Sequence, residues 1–136
     1  MLFRSVSQSR YQNEMIHPEE INFEHNGLRC KCRKVQLTRR YWWCGYVNIP
    51  KDHPWYGLSY DSDKLRETPA PGGLTFSGWI GDKDSWWIGF DTAHSGDIWP
   101  GNVTDIEELN LSWARVWSID ELMAETKLLA DRVNNG

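Results

Sequence analysis

The chain has 136 residues, of which 40% are apolar and 25% charged, so it is long enough for one globular domain and is not a disordered polymer. Its net charge of −4 argues against strong phosphate tracking, and no apolar run is long enough to span a bilayer. The N-terminus, MLFRSVSQSR, lacks a signal-peptide core and the three Cys are an odd count, so the expectation is a cytoplasmic protein with reduced thiols.

Residues 1–26 are polar and weakly patterned. They read as a loosely ordered N-terminal arm, with room for one helical turn after Pro18 in HPEEINF. Residues 27–136 read as a single domain. Leu28, Cys30 and Cys32 alternate with Arg29, Lys31 and Arg33, the period of a half-buried strand. Residues 28–40 hold six Lys/Arg and no acid, whereas 97–132 hold eight Asp/Glu against three Lys/Arg. The basic strand is therefore expected to be exposed and to face an acidic helical end. The alternation slips near Lys34, as a bulge or an incipient turn would make it do. YWWCGYVNIP then supplies the second strand of an antiparallel hairpin, closed by Pro50. Cys30 and Cys32 share a strand face, where a mutual disulfide would be strained. A zinc site from Cys30, Cys32, Cys44 and a His would lack a recognised knuckle spacing.

Residues 51–73 are loop-like, rich in Pro, Gly and Asp, and a loop of that length in a small domain is usually functional or mobile. GLTFSGWI reads as a strand, GDKD as a hairpin turn and SWWIGFDTA as the next strand. In the last of these Trp86, Ile88 and Phe90 share one face, and Trp87, Gly89 and Asp91 the other. Gly89 invites close approach of a backbone or a ligand. HSGDIWPGNVTD is a loop, and IEELNLSWARVW fits a short helix or a strand equally well. Ser118 and Glu121 then form a capping box, and Ile119, Leu122, Met123, Thr126, Leu129, Ala130 and Val133 recur at helical spacing. The expected fold class is α+β: about four antiparallel strands with a C-terminal amphipathic helix packed on one face.

GLRC, CGYVNIPKDHPWYG, a YD pair, GGLTFSG and WWIGFDTAHSGD, followed by the amphipathic helix, resemble a family of small uncharacterised proteins encoded by phages and prophages. The likeness covers roughly residues 27–133, and GFDTAHSGD and GGLT are its most specific parts. Members carry a His before GGLT, where this chain has Pro71, and often a Cys where it has Thr92. The resemblance implies a phage or prophage origin and no particular chemistry.

Three groups of residues could carry function. Asp91, His94 and Asp97 lie within seven residues. Two carboxylates and an imidazole could hold a hard metal, or Asp91 could orient His94 as a general base, with His53 completing either set. Turn chemistry explains the same residues, since Asp caps turns by accepting backbone N–H bonds. GGLT could expose N–H groups to an anion, but no helix start or P-loop Lys follows it, and a tight turn explains it. The aromatics Trp42, Trp43, Trp55, Tyr56, Trp79, Trp86, Trp87 and Trp99 exceed what a small core needs. Each WW pair is split across the two faces, which leaves Trp43 and Trp87 divided between core and interface. Beside Arg29, Lys31 and Arg33 they could also stack bases.

The leading expectation is a phage-encoded accessory protein acting in the host bacterial cytoplasm. It would bind a host protein or a small ligand through the Trp-rich face and the loops 51–73 and 91–101, counter-defence inhibition being one form. The alternatives are a small metal-dependent hydrolase or nucleotide-processing enzyme centred on Asp91, His94 and Asp97, and a single-stranded nucleic-acid binder using the basic strand. No motif assigns a cofactor. An uncovered Trp face would make a homodimer reasonable.

Overall fold

The structure, a computed structural model, describes residues 16–102 and 114–136. It is α+β. Strands β1 (Ile16–His25), β2 (Leu28–Gln36), β3 (Tyr41–Ile49), β4 (Phe76–Trp79) and β5 (Trp86–Asp91) form one antiparallel sheet in the order β1-β2-β3-β5-β4. A short parallel pair, β6 (Asp97–Ile98) and β7 (Arg115–Val116), stands apart from it. Helix α1 (Ile119–Asn134) packs over β2 and β3.

The sheet has five strands rather than about four, because residues 16–25 form β1 instead of part of a loose arm or a helical turn. The device is the pair Asn26–Gly27, with φ of 50° and 83°. Two positive φ values in succession suit the tight hairpin turn that matches strand twist, and Asn-Gly is the pair that adopts it most easily. Ile21 and Phe23 then fall opposite Cys32 and Cys30. The irregularity lies in β1, between Ile16 and Glu19, while the β2–β3 register is unbroken. Val35 departs from the Leu28, Cys30, Cys32 face because it buries beside Trp42, its partner in β3.

One face of the sheet carries Cys30, Cys32, Trp43, Gly45, Val47, Ile88 and Phe90 and is the face α1 covers. Leu122, Thr126, Leu129, Ala130 and Val133 of the helix are buried there. Ser118 caps the helix as expected, its hydroxyl accepting from Glu121 N at 3.2 Å. The helix can lie close because Gly45 has no side chain: a Cβ there would fall on Thr126 Oγ1 and within 2.7 Å of Phe90 Cζ. Thr126 turns its own hydroxyl to Leu122 O at 2.8 Å, so the contact leaves no orphaned donor. The expected element over 106–117 lies outside the described residues as far as Trp113, and its described end is β7. Among the described residues no helix is long and apolar enough to cross a membrane.

The opposite face carries Glu20, Asn22 and Glu24 of β1, Arg29, Lys31 and Arg33 of β2, Cys44, Tyr46 and Asn48 of β3, and Trp87, Gly89 and Asp91 of β5. The close approach expected at Gly89 is internal. The Tyr46 ring lies across it, 2.5 Å from where a Cβ would stand, and meets Phe76 edge-on at 5.3 Å.

Candidate functional site

The end of β5 and the turn after it bring Asp91, His94 and Asp97 together. His94 Nδ1 lies 3.1 Å from Asp97 Oδ2, and its Nε2 lies 3.4 Å from Asp91 Oδ1. Backbone bonds build the turn around them. Asp91 Oδ1 accepts from Ala93 N at 3.0 Å, Asp97 Oδ2 accepts from His94 N at 3.0 Å, and Asp97 N donates to His94 O at 2.9 Å. Asp97 Oδ1 takes a further bond, 2.9 Å, from the indole N–H of buried Trp117. Gly72, at φ 70°, presses on the imidazole from the preceding loop, and a Cβ there would stand 2.7 Å from both ring nitrogens. The two most specific parts of the sequence pattern, GGLT and DTAHSGD, thus meet at His94.

This arrangement is a clasp. Both carboxylates spend oxygens on backbone donors, and each imidazole nitrogen faces a carboxylate. A general base needs a nitrogen open to the substrate, and a metal needs donors converging on one point. Here the ring sits between the carboxylates, and among the described residues no group of three or more His, Cys, Asp or Glu is placed to share an ion. His53 does not join the cluster. Its Nδ1 accepts from Trp55 N at 2.9 Å and its Nε2 donates to Val133 O at 2.7 Å, tying the 51–73 loop to the end of α1. A carbonyl can only accept, so the proton sits on Nε2. Trp55 is buried against Gly136, and Tyr56 donates to Asp84 O at 3.1 Å. These two close the loop over the domain, Trp55 as part of the core and Tyr56 half-buried.

Thr92 is a second knot. It is buried, donates to Trp43 O at 2.6 Å and accepts from Trp99 Nε1 at 2.8 Å. The three thiols are equally enclosed. Burial pushes Cys30 and Cys44 up to about 12 and Cys32 up to about 11. The charge of Asp91, opposite Cys44 in register, pushes in the same direction. Because the thiolate is the reactive form, a thiol reagent at about pH 8 should leave the folded protein unmodified and label all three Cys only after unfolding. Mass spectrometry reads the count, and rapid labelling of Cys44 in the folded state would contradict the burial.

Trp43 and Trp87 are both core residues, each 4% exposed, and of the eight described Trp only Trp79 and Trp86 are half-buried. The aromatic face is closed by cations. Arg29 and Lys31 lie over the Trp87 ring at 5.4 Å and 5.3 Å, Arg33 over Tyr46 at 6.0 Å and Arg40 over Trp42 at 5.2 Å. Stacked guanidinium and ammonium groups take the ring faces that a nucleic-acid base would need. The basic strand faces the glutamates of β1 rather than an acidic helical end. Lys31 lies 2.8 Å and Arg33 3.3 Å from Glu20, and Lys34 lies 3.1 Å from Glu19. The bond from Lys31 holds the Glu20 carboxyl below its ordinary value against a smaller opposing effect of burial. That contribution to stability is therefore present at neutral pH and is lost as pH falls through the depressed value.

What stays open on this face is a groove of about 310 Å³, lined by Asn22, Phe23, Glu24, Arg29, Cys30, Lys31 and Trp87. It lies where β1 and β2 run beside the Trp87 indole, whose Nε1 is buried without a hydrogen-bond partner. Sequence patterning picked out Arg29, Lys31 and Trp87 but missed Asn22 and Glu24, which it had assigned to the arm. The Asn26–Gly27 turn was the signal that could have found them. No family model, curated protein or solved structure matches this chain.

Proposed function

We propose that this chain is a non-catalytic binding protein that takes a small ligand in the groove between the β1–β2 hairpin and Trp87. The observation that carries the reading is the groove itself. Its volume, about 310 Å³, is at the lower end of small-molecule sites, and it combines an aromatic wall with a few polar and charged groups. The clasp at Asp91, His94 and Asp97 supports the same reading, because Asp91 Oδ1 and both Asp97 oxygens already accept bonds that build the turn. A large protein contact finds less support. Among the described residues only Val116 and Leu128 are large, apolar and exposed, and one lies in β7 and the other in α1.

The likeness to phage and prophage proteins supports an accessory role in a host cytoplasm, with capture of a host small molecule as the form of interference. A monomer fits this role, since self-pairing of the β1 edge would bring Glu19, Glu20 and Glu24 of two copies together.

A thermal-shift panel of nucleotides, sugar phosphates, amino acids and aryl acids tests the reading. A ligand of the folded state raises the melting temperature. The expected result is a saturable shift in the wild type and in Asp91→Asn, lost in Asn22→Tyr, which fills the groove from an exposed position. A shift that disappears in Asp91→Asn and survives Asn22→Tyr would move the site to the clasp. A panel with no saturable shift would count against ligand binding altogether.

A further inference from the structure

We infer that Arg29 is the anchor of this groove and that its ligand carries an oxyanion, a carboxylate or a phosphate. The inference rests on the groove being a binding site and names what it binds. Of the basic side chains on β2, Lys31, Arg33 and Lys34 are each within ion-pair distance of a β1 glutamate. Arg29 differs. Glu24 stands opposite it in register, yet among the described residues Arg29 forms no ion pair. Its guanidinium turns over the Trp87 ring, and one nitrogen, Nη2, donates to Ser85 Oγ at 3.1 Å.

That geometry orients the side chain while leaving most of its donors unspent. A guanidinium has five N–H donors in a planar fork, of which the serine takes one. Ser85 is itself held, donating to Asp82 Oδ2 at 3.1 Å, and Asp82 accepts from Asp84 N at 2.8 Å in the turn between β4 and β5. The turn thus grips one edge of the guanidinium and the indole supports its plane. The remaining edge is pre-organised, so an oxyanion would bind to it without the usual cost of ordering an arginine side chain. Lys31, also over the indole, has its ammonium committed to Glu20 at 2.8 Å and to Asn22 Oδ1 at 2.7 Å, which leaves Arg29 as the groove's available cation. Glu24 on the rim opposes both and sets a limit on how much negative charge the ligand brings.

Isothermal titration with benzoate, phenyl phosphate and neutral benzamide tests the inference in the wild type, Arg29→Lys, Arg29→Gln and Glu24→Gln. At least one anion should bind saturably, and the tighter of the two identifies the oxyanion as carboxylate or phosphate. Binding should weaken about tenfold in Arg29→Lys, which keeps the charge and loses the fork, and disappear in Arg29→Gln. It should tighten in Glu24→Gln and weaken with added salt, responses that a merely structural Arg29 would not give. Benzamide binding as tightly as the anions, unchanged by the Arg29 substitutions, would overturn the oxyanion while leaving the groove a binding site. Failure of both anions to saturate would also overturn it, and the groove would then be judged by the wider panel.

Discussion

Gly45→Ala should destabilise the protein by about 3 kcal/mol or more, the upper range for overpacking a well-filled core. The added methyl would fall on Thr126 Oγ1 and within 2.7 and 2.8 Å of two Phe90 ring carbons. None of these can retreat cheaply. Thr126 is fully buried and bonded to Leu122 O, Phe90 is 1% exposed, and Gly45 lies in the middle of β3 between β2 and β5. The helix would have to lift off the sheet, or β3 would have to shift against both neighbours. A domain of this size has about 5–15 kcal/mol in total, so the variant should melt far below the wild type or fail to fold. Chemical denaturation with a circular-dichroism readout measures the loss. A variant within about 0.5 kcal/mol of the wild type would mean that α1 does not seat at Gly45 as described.

Asp97→Ala should cost about 2–4 kcal/mol, and Asp91→Asn less than about 1 kcal/mol. Asp97 accepts from His94 N and from the Trp117 indole and faces His94 Nδ1 at 3.1 Å. Its side chain is 14% exposed, and Trp117 is 1% exposed, so removing the carboxylate leaves a buried indole N–H without an acceptor. Buried donors without partners are among the larger single-site penalties. Asp91 is more open, at 30%, and an amide in its place still accepts from Ala93 N. The asymmetry marks a structural clasp. In a catalytic trio, losses of stability need not follow this order, and either substitution would abolish activity. Equal costs, or a larger cost at Asp91, would contradict the assignment of Asp97 as the residue that joins β6 to the turn.

Much of the fold was legible from side-chain period and capping. The helix could be placed from Ser118 and Glu121 and from the spacing of Leu122, Thr126, Leu129 and Val133, because capping and amphipathic burial are local in sequence. Strands β2, β3 and β5 were legible from alternation and aromatic content. Strand β1 was not, because its outward residues are Glu20, Asn22 and Glu24 and its inward ones only Ile21 and Phe23. Read alone the segment is polar. It becomes a strand through the Asn26–Gly27 turn and the pairing of its glutamates with the cations of β2, a partnership that needs both strands at once.

The same non-local pairing hid the groove. From sequence, Arg29, Lys31 and Arg33 read as an exposed basic strand facing an acidic helical end, and Trp87 was divided between core and interface. Cross-strand geometry pairs Lys31, Arg33 and Lys34 with the glutamates of β1, lays Arg29 and Lys31 on the indole, and leaves Arg29 without an ion pair among the described residues, its nearest acidic influence being Asp82, reached through Ser85. The convergence of Asp91, His94 and Asp97 was legible from their spacing. The contacts that brace the cluster were not, because Trp117 and Gly72 come from distant parts of the chain.

The most direct measurement is a ¹⁵N–¹H correlation titration of the labelled protein with phenyl phosphate and with benzoate. It follows the tryptophan indole and arginine side-chain signals beside the backbone amides. Occupation of the groove predicts saturable movement of the Trp87 indole and Arg29 side-chain signals and of the Asn22–Glu24 amides, with the Ala93–Asp97 amides unmoved. Movement centred on Ala93, His94, Asp97 and Gly72, with Trp87 and Arg29 still, would place the ligand at the clasp and contradict the account.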